Sequence, residues 1–170
     1  MADEPPGTGL NEDADGRLKF LLIAEDRPEA RLAAFFMARR AKRSNATVVL
    51  LHVVEPPEFG QWAAVTETMR AEAYERAEAV LAEFAAIIEA EGANRAEKLV
   101  REGSVAEEIR KLIDEDSRIA ILFLGASTSA EGPGPLVSAL ANRPTYLSAR
   151  PIPVTVVPGS VTREELKRIS

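Results

Sequence analysis

The chain contains no cysteine and only one histidine among its 170 residues. Without cysteine it can form no disulfide, no thiol nucleophile and no thiolate metal site, and this composition suits the reducing cytoplasm. A single histidine is too few for a typical transition-metal centre, which is built mainly from imidazole and thiolate ligands. The sequence therefore predicts a cytoplasmic protein with no metal site of its own.

The chain also lacks a surplus of basic residues and a long apolar run. Its net charge is −6 and its isoelectric point is near 5.0, whereas nucleic acids are bound chiefly through clustered lysine and arginine. No stretch approaches the roughly 20 apolar residues needed to cross a bilayer. We therefore expect neither nucleic acid nor a membrane as a partner.

Motifs of hydrolytic catalysis are missing as well. The sequence has no Gly-x-Ser-x-Gly elbow and no Walker lysine, and His52 lies inside an apolar run rather than beside a nucleophile. The pattern favours a protein that is not an enzyme.

What the chain does contain is a regular alternation of β-rich runs and amphipathic stretches over residues 18–159. Residues 1–17 carry five carboxylates and little that could be buried, which predicts a disordered acidic tail. Residues 160–170 are expected to form a short C-terminal helical tail, whose helix starts at Thr162 and Glu165. The sequence thus predicts one α/β domain between two short tails.

Five runs in this domain are predicted to be strands: Leu18–Ala24, Thr47–Val54, Ala96–Val100, Ile119–Leu124 and Ile152–Val157. The nearly continuous apolar character of the first and fourth runs is typical of strands buried on both faces of a parallel sheet. Pro153 indicates an edge position for the last strand, since proline has no N–H to donate. With right-handed crossovers, these runs predict a single doubly wound domain with a five-stranded parallel sheet and helices on both faces.

Helices are predicted between the strands: from Asp26 to about Lys42, from Trp62 to Glu91, from Ser104 onward and from Leu136 to Leu147. Asp26 is the expected N-cap of the first helix, with Glu29 in capping-box register, and Ser104 with Glu107 is expected to cap the third.

In a doubly wound sheet, ligands bind beyond the carboxyl ends of the strands where the strand order reverses. The loops after the first and fourth strands therefore hold the candidate site. Asp26 follows the first strand, and the stretch LGASTSAEGPGP, residues 124–135, follows the fourth. That stretch is either a cradle of backbone amides for phosphate or only the turn that ends a strand, and Asp26 is either a ligand contact or only a helix cap.

Five fragments in this order resemble the universal stress protein family over nearly all of residues 18–159: IAED at 23–26, LLHVVE at 50–55, EGSVAEEI at 102–109, LFLGAS at 122–127 and IPVTVVPG at 152–159. The resemblance implies the strand order 3-2-1-4-5 and a homodimer formed through the last strand, Val154 to Val157. In many members it also implies ATP bound across the switch point, with Mg²⁺ only as a companion of the nucleotide.

By the same resemblance, Asp26 would meet the base or sugar side of an adenine nucleotide, and the backbone of Val53 would meet the adenine. ATP-binding members have a loop of Gly, two residues, Gly, nine residues, then Gly with Ser or Thr. Gly125 matches the first position, whereas Thr128 stands at the second and Ser138 with Ala139 at the last pair. Ser127 and Thr128 could add hydroxyl donors, and Gly132 and Gly134 lie between.

Two functions follow from these residues. The first is a stress-response dimer that acts through contacts with client proteins, with adenine-nucleotide binding at the switch-point crevice. The alternative is a regulator that senses ATP or AMP through a divergent phosphate loop. Glu25 and Asp26 also resemble the acidic pair of a response-regulator receiver, but the third strand ends in LVREG and the fifth in VVPGS, without that family's phosphoacceptor aspartate and lysine.

Overall fold

A five-stranded parallel sheet lies at the centre of the computed structural model, which describes residues 16–56, 66–94 and 96–170. Its order is β3-β2-β1-β4-β5, and every neighbouring pair is parallel. The expected fold class and strand order are therefore confirmed. The strands are β1 (Lys19–Ile23), β2 (Thr47–Val54), β3 (Glu97–Glu102), β4 (Ile119–Ala126) and β5 (Val154–Pro158).

Five helices cover this sheet in the described part of the chain: α1 (Pro28–Ser44), α2 (Glu67–Ala90), α3 (Val105–Glu115), α4 (Pro135–Asn142) and α5 (Arg163–Ile169). None of them combines the length and apolar character that a bilayer crossing requires. The predicted tail up to residue 15 and the predicted start of the second helix at Trp62 lie outside the described residues.

Alternation of side chains along β1 explains why all five of its residues are buried. Phe20 and Leu22 belong to a core with α1, α2 and α5, and Leu21 and Ile23 belong to a second core with α3. Leu166 of α5 is 3% exposed within the first core. The two cores fix the helices on opposite faces and leave the carboxyl ends of the strands at one edge.

The two expected helix caps, Asp26 with Glu29 and Ser104 with Glu107, do not form as predicted. The N-cap of α1 is Arg27, without a side-chain cap, because the carboxylate of Asp26 pairs with Arg31 one turn along the helix. Ser104 is the N-cap of α3, but its exposed hydroxyl makes no cap hydrogen bond there. α5 begins after Thr162 as expected, and there Thr162 and Glu165 form a capping box with both of its hydrogen bonds.

Three boundaries in the last part of the domain, those of β4, β5 and α4, differ from expectation. β4 runs on to Ala126, so Leu124, Gly125 and Ala126 of the glycine-bearing stretch are strand residues. β5 begins only at Val154, after Pro153, which donates no ladder hydrogen bond. α4 stops at Asn142 rather than Leu147, because Pro144 forces Arg143 out of the helical region, to φ −142° and ψ 94°.

Candidate functional site

A cavity of about 680 Å³ lies at the carboxyl edge of the sheet, between the ends of β1 and β2 and the facing side of α2. We call it the open cavity. Its size is within the range of about 300–1,000 Å³ that small-molecule sites occupy. The strand ends contribute Asp26, His52 and Val53, and α2 contributes Ala73, Arg76 and Val80. Two predicted site residues, Asp26 and Val53, therefore lie in one cavity.

The backbone N–H and C=O of Val53 face the β1 side of β2, at a level beyond the end of β1. Along a strand of a parallel sheet, the N–H and C=O of successive residues turn to opposite neighbours. The carbonyl of Leu51 accepts the N–H of Ala24 on the β1 side, and that of Val54 accepts the N–H of Gly103 on the β3 side. Val53 therefore faces the β1 side, beyond the last residue of β1, and can hydrogen bond to a ligand.

His52 lines the open cavity, and one of its ring nitrogens has a hydrogen-bond partner. Its Nδ1–H donates to the carbonyl oxygen of Ala24 over 2.7 Å, and a carbonyl can only accept, so the neutral ring carries its proton on Nδ1. His52 follows Val48 and Leu50 on the α2 face of β2. The Nε2 atom is thereby left as a polar group at the cavity.

Asp26 stands at the rim of the open cavity, with its side chain 72% exposed. Its carboxylate accepts a hydrogen bond from Nη2 of Arg31, and Arg31 also binds Glu83 of α2, with 2.7 Å between Nε and Oε1. Glu83 and Asp26 raise the pKa of Arg31, and Arg31 lowers the pKa of Glu83. Asp26 is thus held by α1 but keeps an oxygen available to a ligand.

A second polar cluster fastens α2 on the other side of the cavity. Oε1 of Glu102, the last residue of β3, accepts from Nη2 of Arg70 at 2.6 Å and from the hydroxyl of Tyr74 at 2.6 Å. The hydrogen bond from Tyr74 and the pairing with Arg70 lower the pKa of Glu102. The cluster at Glu102 thus ties α2 to the end of β3, and the pair of Glu83 with Arg31 ties α2 to α1.

Glu25 lines the open cavity and also the crevice between β1 and β4. Burial raises the pKa of its carboxyl, as do the nearby carboxylates of Glu29 and Glu55, whereas Arg27 and His52 act in the opposite direction. Carboxylates therefore accumulate around the end of β1, and this acidic environment weakens binding of strongly anionic ligands.

The crevice between β1 and β4 is, by contrast, almost filled. It measures about 30 Å³ and is lined by Glu25, Arg27, Glu29, Gly125 and the segment Pro133–Val137. We call it the closed crevice; its volume is that of about one water molecule. A Cβ on Gly125 would stand 2.5 Å from the carbonyl carbon of Glu29 and 2.6 Å from the amide nitrogen of Ala30. Gly125 is therefore required for the close contact of β4 with α1.

The loop after β4 satisfies much of its own backbone. The amide of Ser127 donates to Pro133 O at 3.1 Å, that of Gly132 donates to Ser129 O at 3.1 Å, and that of Ser129 donates to Oγ of Ser127 at 3.2 Å. Pro133 has no N–H at all. Three predicted contacts, Ser127, Thr128 and Ser138, do not line either cavity, and Thr128 and Ser138 are exposed.

A triphosphate and its Mg²⁺ do not fit the residues at the closed crevice. A phosphate chain needs free amide donors and room, and it is repelled by a carboxylate such as that of Glu29. In the described ranges, no group of three or more acidic or histidine side chains could hold a metal ion. The structure brings the expected base-side residues together but does not place the expected phosphate-side residues with them.

The sequence prediction does not include His52, Glu29 or Arg76 among the site residues, although these three line the open cavity or the closed crevice. The alternation of β2 places His52 on the face of Val48 and Leu50, which is a signal that could have directed it to the cavity. The sequence places Glu29 in capping-box register, and Arg76 is one of many charged residues on an amphipathic helix. No local signal distinguishes these two residues.

A parallel sheet in the order 3-2-1-4-5, with a ligand-sized cavity at its carboxyl ends, defines the doubly wound α/β class of proteins. The model of the universal stress protein family matches residues 17–158. The chain therefore belongs to the universal stress protein family. A search of curated protein sequences gave no match.

Solved structures of this family have the same fold at low sequence identity. Universal stress protein UspA from Lactobacillus plantarum superimposes with a TM-score of 0.69 at 16% identity, covering 82% of this chain and 97% of that one. A universal stress protein in complex with cAMP gives 0.60 at 17% identity, covering 85% and 98%. The universal stress protein from Archaeoglobus fulgidus in complex with dAMP gives 0.55 at 16% identity, covering 82% and 97%.

Proposed function

We propose that this protein is a cytoplasmic, non-enzymatic regulator of the universal stress protein family that binds an adenine nucleoside or nucleotide in the open cavity. The observation that carries the proposal is the cavity of about 680 Å³ bounded by Asp26, His52 and the backbone of Val53. The cavity combines a carboxylate acceptor, an imidazole nitrogen and a strand-end amide and carbonyl. The similar proteins solved with cAMP and dAMP support the choice of an adenine ligand.

Each polar group of the open cavity suits one part of such a ligand. A strand-end amide and carbonyl can pair with the edge of an adenine ring as they pair with another strand. The carboxylate of Asp26 can accept hydrogen bonds from ribose hydroxyls. Apolar contact is available from the alanines and Val80 on α2.

Equilibrium dialysis with labelled adenosine, AMP, cyclic AMP and ATP tests the proposal. We expect saturable binding of at least one ligand, and Asp26→Ala should weaken it about fivefold through loss of a hydrogen bond to an exposed carboxylate. Glu164→Ala, on exposed α5, is the control and should leave binding unchanged. Absence of binding by all four ligands at millimolar concentration would overturn the proposal.

The edge of the sheet favours a second proposal, a homodimer formed through β5 that acts through protein contacts. β5 is the outermost strand, and Val156 is 38% exposed. The carbonyl of Pro153 and the N–H of Gly159 bond to β4, so alternation turns the amides of Val154 and Val156 outward. An outward row of unpaired amides is a template for a second strand.

Sedimentation velocity at micromolar concentration tests the dimer. We expect a dimer for the unaltered chain and a shift toward monomer for Val156→Lys, which places a charge at the edge. Ile169→Lys alters another exposed apolar side chain, 63% exposed on α5, and should leave the dimer intact. A monomeric unaltered chain would contradict the second proposal without affecting the first.

A further inference from the structure

The distribution of charge around the open cavity limits the kind of anion that it can accept. Among the described residues, four carboxylates and two guanidinium groups line it: Glu25, Asp26, Glu55, Glu83, Arg27 and Arg76. The carboxylate excess lies at the strand ends and the rim. A ligand with several negative charges would meet this excess at short range, where the cost of like charges is greatest.

Arg76 is the cation that best suits an anionic group of a ligand. It lies on the face of α2 that lines the cavity, three residues from Ala73 and three from Ala79, so small side chains flank it on that face. It takes part in neither of the ion pairs that fasten α2, which use Glu83 and Glu102. Arg27, by comparison, lies 4.0 Å from a carboxylate oxygen of Glu25.

The usual route for a phosphate chain, from the base side across the switch point, is blocked in this chain. Glu29 and Gly125 meet at the closed crevice, whose volume of about 30 Å³ holds no phosphate group. Opening it would require α1 to move away from β4, since these two backbones are already in contact at Gly125. The loop beyond is closed by its own hydrogen bonds from Ser127 and Gly132.

These observations deepen the proposed function and rest on it. We propose that the open cavity takes an adenine nucleoside monophosphate with its single phosphate on Arg76 of α2, and that it excludes the triphosphate. The ribose lies between Asp26 and α2, and the phosphate points away from β4. The discrimination is made by Glu29 and the β4–α1 contact on one side and by one guanidinium group on the other.

Isothermal titration calorimetry with adenosine, AMP and ATP at equal ionic strength tests the inference. We expect AMP to bind at least fivefold more tightly than adenosine, because only AMP contacts Arg76. ATP should bind at least tenfold more weakly than AMP, because the filled crevice denies its phosphate chain the route across the switch point, and the added negative charge then lies among the carboxylates of the open cavity. The titrations are run with EDTA and again with Mg²⁺. AMP should bind more tightly than adenosine and ATP under both conditions.

Arg76→Gln is the decisive variant, and the exposed position of the side chain makes misfolding an unimportant concern. It should reduce the affinity for AMP to that for adenosine while leaving adenosine binding unchanged. Arg168→Gln, an exposed arginine on α5, is the control and should preserve the AMP preference. Thermal unfolding of both variants verifies that each is folded.

The outcomes separate the two proposals. ATP binding as tightly as AMP, or an AMP preference that survives Arg76→Gln, overturns this inference and leaves the proposed function in place. Failure of all three ligands to bind the unaltered chain overturns the proposed function and the inference with it.

Discussion

The open cavity and the closed crevice lie at the same edge of one sheet and share Glu25 and Arg27, yet they differ more than twentyfold in volume, about 680 Å³ against 30 Å³. The open cavity is bounded by α2, which ion pairs and hydrogen bonds connect to the end of β3 and to α1. The closed crevice is bounded by backbone in contact with backbone. The comparison shows that a switch point offers a location for a ligand, and that the packing of the first helix decides how much of it is accessible.

Gly125→Ala should have the largest effect, because it disrupts the contact between β4 and α1 that fills the closed crevice. The added Cβ would stand 2.5–2.6 Å from backbone atoms of Glu29 and Ala30, and we expect a loss of about 3 kcal/mol in the free energy of unfolding. Gly159→Ala is the control, since its Cβ would lie 3.4 Å from the Cβ of Glu29, and it should change stability by less than about 1 kcal/mol. Equal losses in urea denaturation would show that the β4–α1 contact is not tight.

Glu102→Gln should have the next largest effect, because Glu102 ties α2, one wall of the open cavity, to β3. Because Tyr74 and Arg70 lower the pKa of Glu102, its contribution is present above the ordinary glutamate pKa of about 4.3 and is lost as the pH falls through the lower folded value. The unaltered chain should therefore be more stable than the variant at pH 7, and the two should converge as the pH falls through the lowered pKa of Glu102. A difference that persists in acid would contradict the role of this carboxylate.

His52→Ala should have a smaller effect, about 1 kcal/mol, through loss of the hydrogen bond to Ala24 O. Because the chain has one histidine, nitrogen NMR of the unaltered protein gives a single imidazole to assign. We expect the neutral ring to carry its proton on Nδ1, and adenosine to perturb the Nε2 signal. A neutral ring protonated on Nε2 instead would show that His52 does not donate a hydrogen bond to the carbonyl oxygen of Ala24.

Glu29→Gln should have the smallest effect and would show how the two regions are coupled. Burial is the main reason that the pKa of Glu25 is raised, and Glu29 adds to it. Removing the charge at position 29 should move the pKa of Glu25 part of the way back toward its ordinary value, and Glu164→Gln should leave it unchanged. Carbon NMR titration of the glutamate carboxyls measures the pKa of Glu25 in each variant. An unchanged pKa of Glu25 in Glu29→Gln would indicate that the open cavity and the closed crevice are electrostatically independent.

The sequence was sufficient to predict the order of strands and helices, because burial on two faces and helical periodicity are local patterns. The apolar run of β1 predicted a strand inside the sheet, and Pro153 predicted an edge position for β5. Boundaries were less well determined where a cap had two candidate partners. Aspartate is a residue type favoured at N-caps, but Arg31 competes for the carboxylate of Asp26. Only the tertiary structure shows which of the two contacts forms.

The sequence by itself determined the doubly wound fold and the location of Asp26 and Val53 at its carboxyl edge, since strand ends follow from local hydrophobic patterning. Only the tertiary structure decided that Gly125 serves helix packing, that Glu29 closes the crevice and that Arg76 lines the cavity. The physical reason is distance along the chain. Arg31 and Glu83 are 52 residues apart, and Gly125 of β4 contacts the first turn of α1 at Glu29, which is also remote in sequence. Contacts of this kind depend on how α1 and α2 pack on the sheet, which no local pattern specifies.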